Sequence, residues 1–182
     1  VTTKLNDDFG TSININRLGL NWKGEVDIRD VYIKDHHQDT LIYTKSLQTN
    51  LLSVKNLIDG NLDFGFIDLE KAKFYLKTYL GEENDNVTIF ADKFNSDQPS
   101  SGNVFKLNSN SINLSDSKVK ITDENISQQE IFNLSKINID SNNFSIEGPE
   151  VKIGINQLSL FAKRGFEIKN LRGNFSYGLT SM

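Results

Sequence analysis

Apolar residues fall at every second position over most of this chain. From Gly19 to Leu51 they do so in two runs. Val26 and Ile28 lead to Val31 and Ile33, and then Leu41 and Tyr43 lead to Leu47, Thr49 and Leu51. A period of two gives one wetted face and one apolar face, as in a half-buried strand. Asp35-His36-His37-Gln38-Asp39 separates the runs with turn-forming residues, so the stretch reads as a long hairpin. At Arg29–Asp30 the phase slips by one residue without a break, which predicts a β-bulge. Upstream, Thr11 to Leu20 alternates through Ile13, Ile15, Leu18 and Leu20, with Trp22 in phase, and predicts a first strand after a short polar lead-in.

The next segment differs. Val54, Leu57 and Ile58 have helical spacing, with Ser53 as N-cap and Gly60 as terminator, predicting one or two helical turns. A strand pair is expected next, Leu62 to Leu69 outward and Phe74 to Leu76 on the return, with Lys71-Ala72-Lys73 at the connection. Val87, Phe90 and Phe94 predict a second short helix. Residues 96–103 are loop-forming throughout and divide a first section, 1–95, from a second, 104–182.

The second section is almost pure alternation. Phe105 and Leu107, Ile112 and Leu114, Val119 and Ile121, and Phe132 and Leu134 recur at i, i+2. Ile137 and Ile139, Phe144 and Ile146, then Val151, Ile153 and Ile155, and finally Leu158 and Leu160, and Phe166 and Ile168, continue it. Ser, Asn, Asp, Lys and Gly fill the gaps, the spacing of short strands in a meander.

Composition narrows the class. The hydrophobic fraction of 37% is low for a globular domain, yet too periodic for a disordered one. A net charge of -4 with interspersed signs supplies no basic field, so nucleic acid is not an expected partner. Without Cys there are no disulfides, thiolate metal sites or thiol catalysis. No apolar run approaches the roughly 20 residues that span a bilayer. The chain begins at Val1 and its one Met is Met182, so it reads as part of something longer.

A sheet with one apolar face must bury that face against a second sheet, helices, or something from outside. Two short helices are too few. A sandwich, a closed barrel, or an open gutter holding a greasy ligand all satisfy the pattern, and on periodicity alone the closed forms are favoured. Catalytic chemistry is not expected. Glu82-Glu83 and Asp123-Glu124 sit among polar loop residues and read as solvated charge. His36 and His37 are the only histidines. They are poorly suited to share a metal if they are strand-like neighbours pointing to opposite faces, so a solvated turn is the preferred reading and neither metal nor cofactor is expected.

One further observation reverses the preference for a closed form. Residues 24–35 (GEVDIRDVYIKD), Asp39-Thr-Leu-Ile-Tyr43, Leu57-Ile-Asp-Gly-Asn-Leu62, Ile67-Asp-Leu-Glu-Lys-Ala-Lys-Phe-Tyr-Leu76 and Phe166-Glu-Ile-Lys-Asn-Leu-Arg-Gly-Asn-Phe175 together resemble the N-terminal region of TamB-type translocation and assembly proteins of the AsmA-like group, in a Bacteroidetes form. The resemblance implies a mainly β fold, a long, curved, antiparallel open sheet with a taco-like apolar groove. It implies a periplasmic, non-enzymatic segment anchored in the inner membrane by an upstream helix. It also implies phospholipid as cargo and an outer-membrane β-barrel assembly protein as partner. The groove floor is then expected at Phe105, Leu107, Ile112, Leu114, Val119, Ile121, Phe132, Leu134, Ile137, Ile139, Phe144, Ile146, Val151, Ile153, Ile155, Phe166 and Ile168, with Trp22 and Tyr43 at its mouth. The alternative is a sandwich module that binds a protein or glycan.

Overall fold

The computed structural model describes residues 3, 6–7, 10–20, 25–51, 61–93, 106–147 and 150–177. They form a mainly β protein. Strands β1 (Ser12–Leu20), β2 (Glu25–Lys34) and β3 (Thr40–Leu51) come first, then β4 (Asn61–Glu70) and β5 (Lys73–Thr78). One short helix, α1 (Asn86–Asp92), precedes β6 (Lys106–Ser109), β7 (Ile112–Asp123), β8 (Glu130–Glu147), β9 (Glu150–Ala162) and β10 (Glu167–Tyr177). The ten strands make a single sheet. Its edges, β1 and β10, do not pair with each other among the described residues, so the sheet is open. The predicted helix at 53–59, the loop at 96–103, Trp22 and Phe105 lie outside the described residues.

Most pairings are antiparallel, as expected, but the centre is not. β4 and β5 do not form the hairpin predicted from Lys71-Ala72-Lys73. Both pair antiparallel with β3, Leu47 opposite Leu69 and Ile42 opposite Phe74, as successive pieces of one lane. Lys71 has a positive φ of 54° and its N–H donates to Ser115 O at 2.9 Å, so the chain kinks and carries on. A kink and a tight turn leave the same polar gap in an alternating sequence. β6 and β7 form a second two-piece lane, parallel to the first. Each residue faces the one 45 positions on, as with Asn113 and Asp68. A parallel pair requires a long crossover, and α1 belongs to it.

The short strands expected in the second section are merged into long ones, with 18 residues in β8 alone. The reason is a kink. Positive φ at Asp30, Lys71, Asp116 and Lys136 marks a break in each of four lanes at matching levels of the sheet, and from β1 to β5 the register runs through it unshifted. A second line runs through Asn50, whose Oδ1 accepts from Phe66 N–H at 3.0 Å, and through Asn143, whose N–H donates to Asn110 O at 2.9 Å. Kinks and bulges bend and twist a strand, and aligned across neighbours they crease the whole sheet. Small side chains sit in the creases. Thr44 Oγ1 donates to Ser46 O at 2.9 Å, Ser109 Oγ to Ser111 O at 2.7 Å, and Ser117 Oγ to Ser115 O at 3.1 Å. Ala72 N–H in turn donates to Ser117 Oγ at 3.1 Å, so a hydroxyl satisfies a backbone group that the kink strands.

Candidate functional site

Register places the apolar residues in rows that run across the strands. Leu18 faces Ile28, Ile28 faces Leu47, and Leu47 faces Leu69. Leu69 faces Leu114, Leu114 faces Ile139, Ile139 faces Leu158, and Leu158 faces Leu171. Every lane contributes one large apolar side chain. With strands about 4.8 Å apart, this track runs for roughly 34 Å. The neighbouring row, on the opposite face, is polar throughout: Asp27, Gln48, Asp68, Asn113, Asp140 and Gln157 are successive partners. Asn113 Nδ2 donates to Asp68 Oδ1 at 2.7 Å, and Asn156 Nδ2 to Asp140 Oδ1 at 3.0 Å, lacing that face together.

A second apolar track joins Ile13, Ile33, Ile42, Phe74, Val119, Leu134 and Ala162. It shares a face with the first because the kink between them changes the phase of alternation. Between the tracks lies the crease, where Thr44, Ala72, Ser117 and Ile137 are at most 4% exposed. The tracks themselves are mostly half-buried, with Ala162 buried at 3% and Leu18 and Leu171 exposed at 67% and 46%. The deepest line is therefore the fold of the sheet itself, and the apolar face is its concave side.

Nothing among the described residues seals that face. Apart from marginal contacts, each strand touches only its hydrogen-bonded neighbours, and α1 packs on β5. A depression of about 400 Å³ in the surface is of mixed lining, with Gln48, Asp68, Glu70 and Asn113 beside Leu69 and Leu114.

The predicted floor residues Leu107, Ile112, Leu114, Val119, Ile121, Phe132, Leu134, Ile137, Ile139, Phe144, Ile146, Val151, Ile153, Ile155 and Ile168 all fall on this face by register and alternation. Phe166 instead precedes β10 in a turn, its carbonyl accepting from Ala162 N–H at 2.9 Å beside Phe132 at one end of the trough. Tyr43 is not at the mouth. It faces Tyr32 in a polar row, its ring 4.8 Å from that of Tyr32, and its hydroxyl donates to Asp30 Oδ1 at 3.0 Å. Leu41 is buried at 1% exposure, at the register shift beside Thr40, and Ile42, skipped in the alternation of Leu41 and Tyr43, continues the second apolar track. The same face extends into the first section through Ile28, Ile33, Ile42, Leu47, Ile67, Leu69 and Phe74, none of which the sequence reading named as floor. Their alternation was visible. Their alignment with the second section was not, because it depends on the parallel register.

Away from the trough, the β2–β3 turn and the loop after β5 are joined by a buried polar network. Asp35 Oδ1 accepts from His37 N–H at 3.0 Å and Asp39 N–H at 2.9 Å. Its Oδ2 accepts from the Tyr79 hydroxyl at 2.7 Å and Asn86 Nδ2 at 3.0 Å. Burial raises the Asp35 carboxyl, but the donors from Asn86, Tyr79, Asp39 and His37 outweigh it and hold the group below its ordinary value. The Tyr79 phenol is pushed far up by burial and by its bonds to Asp35 and Asp39. At the rim, His36 Nε2 lies 2.9 Å from Glu82 Oε2, and His37 Nε2 lies 2.7 Å from Oε1. The hydrogen bond from His37 is the main reason that the Glu82 carboxyl is lowered. Both histidines belong to the turn rather than a strand, so the objection that neighbours face opposite ways does not apply to them.

Compared with known proteins, the chain matches no family model and no curated sequence. No helix among the described residues is long and apolar enough to cross a membrane.

Proposed function

We propose that the concave apolar face binds acyl chains and that this chain is one section of a lipid-transfer groove of the TamB type. The observation that supports it most is the unsealed apolar track, one large residue from each lane, with a wholly polar row behind it. Each CH2 withdrawn from water is worth about 0.8 kcal/mol, so an acyl chain of about 16 carbons forfeits on the order of 12 kcal/mol in crossing an aqueous gap. An apolar floor removes most of that barrier. Its contacts are non-directional, so cargo slides without breaking specific bonds. One leaflet of a bilayer core is about 15 Å deep, so a track of roughly 34 Å takes a phospholipid tail with room to advance. The head group stays at the open rim, in water. On this reading the protein is not an enzyme, and it works in the periplasm between an inner-membrane anchor and an outer-membrane β-barrel partner.

The test is site-specific photocrosslinking. A photoreactive side chain at Ile139 or Ile153 should give phospholipid adducts in Gram-negative cells, while one at Asp140 or Lys152 on the polar face should not. Equal yields from both faces would overturn the proposal. Native mass spectrometry of the purified chain should show retained phospholipid, lost on Leu114→Asp.

A second reading rests on the outer edge of β10, which pairs with no further strand among the described residues. An exposed edge accepts a further strand. Assistance to outer-membrane barrel assembly would use that edge, and crosslinks from Asn174 to a nascent barrel would distinguish it from lipid passage.

A further inference from the structure

Of the side-chain clusters outside the trough, the one at the tip of the β2–β3 turn is the most organised. We infer that His36, His37 and Glu82 form a site for a divalent transition cation of the zinc type. Each offers one ligand atom, and the three lie within 4.8 Å of one another. Zinc takes imidazole nitrogen at about 2.0–2.1 Å and carboxylate oxygen at about 2.0–2.2 Å, which sets tetrahedral donors about 3.3 Å apart. His36 Nε2 lies 2.9 Å from Glu82 Oε2 and His37 Nε2 lies 2.7 Å from Oε1, while the donor set as a whole spans up to 4.8 Å, so admitting an ion loosens the contacts to Glu82 and draws the most distant donors together by as much as about 1.5 Å. Two nitrogens and one oxygen are a donor set that zinc accepts, while magnesium and calcium prefer oxygen alone.

The donors are held before any ion arrives. His37 stacks on Tyr79 with ring centroids 3.8 Å apart, and His36 meets the same ring edge-on at 5.5 Å. Tyr79 is fixed in turn by its one hydroxyl proton, shared between Asp35 Oδ2 at 2.7 Å and Asp39 Oδ2 at 2.9 Å. The Glu82 backbone is pinned at both ends. Its N–H donates to Tyr79 O at 3.0 Å, and its carbonyl accepts from Asn125 Nδ2 at 3.1 Å. His36 Nδ1 is enclosed, which leaves Nε2 as the one ring atom able to reach a ligand, and Nε2 is the atom aimed at Glu82. The side chains of His36 and Glu82 are 23% and 28% exposed and that of His37 is 46% exposed, so one side stays open to water as a further ligand. A bound ion ties the β2–β3 turn to the loop after β5 and clasps one end of the sheet.

The experiment uses the whole chain, stripped with chelator and titrated calorimetrically with zinc chloride. One equivalent should bind and raise the melting temperature. His36→Gln, His37→Gln and Glu82→Gln should each weaken zinc binding by at least roughly tenfold, the least that even a change outside the ligand shell costs a metal site. The neighbouring Glu83→Gln should leave it unchanged. Circular dichroism of the metal-free variants checks that the sheet is intact, and the exposure of His37 makes that variant the safest of the three. No uptake by the wild-type chain at millimolar zinc would overturn the inference. So would uptake that survives all three substitutions, which would mark adventitious carboxylate binding. Neither result bears on lipid binding in the trough.

Discussion

At the level of single residues, the sheet depends on side chains that serve backbone groups. Ser117 is fully buried, donates to Ser115 O and accepts from Ala72 N–H. Ser117→Ala barely changes volume but leaves a buried N–H without a partner, so it should cost about 1–3 kcal/mol, measured by urea unfolding. Lys71 tests the crease from the other side. It is exposed and holds a φ of 54°, where a β-branched residue is strained and glycine is at ease. Lys71→Val should lose on the order of 1–2 kcal/mol, while Lys71→Gly stays within about 1 kcal/mol of wild type. Tyr43 carries a pH dependence. Burial, then its bond to Asp30, raises its phenol in the folded state. A raised folded-state value means that the contribution of this group is complete below the ordinary phenol value and is lost as pH rises beyond about 10. Tyr43→Phe should remove that part of the alkaline decline in a set of melts from pH 8 to about 11.5.

At the level of elements, local chemistry was legible and long-range pairing was not. The slip at Arg29–Asp30 predicts a bulge; instead Asp30 kinks at a φ of 51° while the register to β1 and β3 runs through unshifted, so the phase changes without an extra residue. The Asp35–Asp39 turn and the helix at Asn86 follow from turn residues and helical spacing, and both are present. The polar gap at Lys71 misleads because one kinked residue and two of turn interrupt alternation alike. What decides between them is Ser115, distant in sequence, which accepts the Lys71 N–H. The pairing of β4 with β7 leaves no periodic trace, since either direction of a strand presents the same alternation. Aligned creases are hidden for the same reason, because each kink is local and only register brings them level. The metal-donor cluster depends on Glu82 meeting a turn 45 residues earlier, which spacing does not reveal.

At the scale of the molecule, the apolar rows run across the strands, so the trough follows the direction in which lanes are added. Each added lane lengthens it by about 4.8 Å. An acidic substitution midway along, Ile139→Asp, should therefore interrupt passage while leaving the sheet assembled, since this side chain is only half-buried. Lipid retention in native mass spectrometry should drop sharply while circular dichroism stays unchanged. Retention equal to wild type would detach the track from cargo binding. The central pair of same-direction lanes has a different consequence. Cutting the chain anywhere between Lys93 and Lys106 yields two pieces whose exposed borders are each other's missing neighbours along the full ladder from Asn61–Lys106 to Thr78–Asp123. Residues 1–93 and 106–182, expressed as separate polypeptides, should complement one another as a split protein, held by hydrogen bonds and interleaved side chains and by no covalent tether.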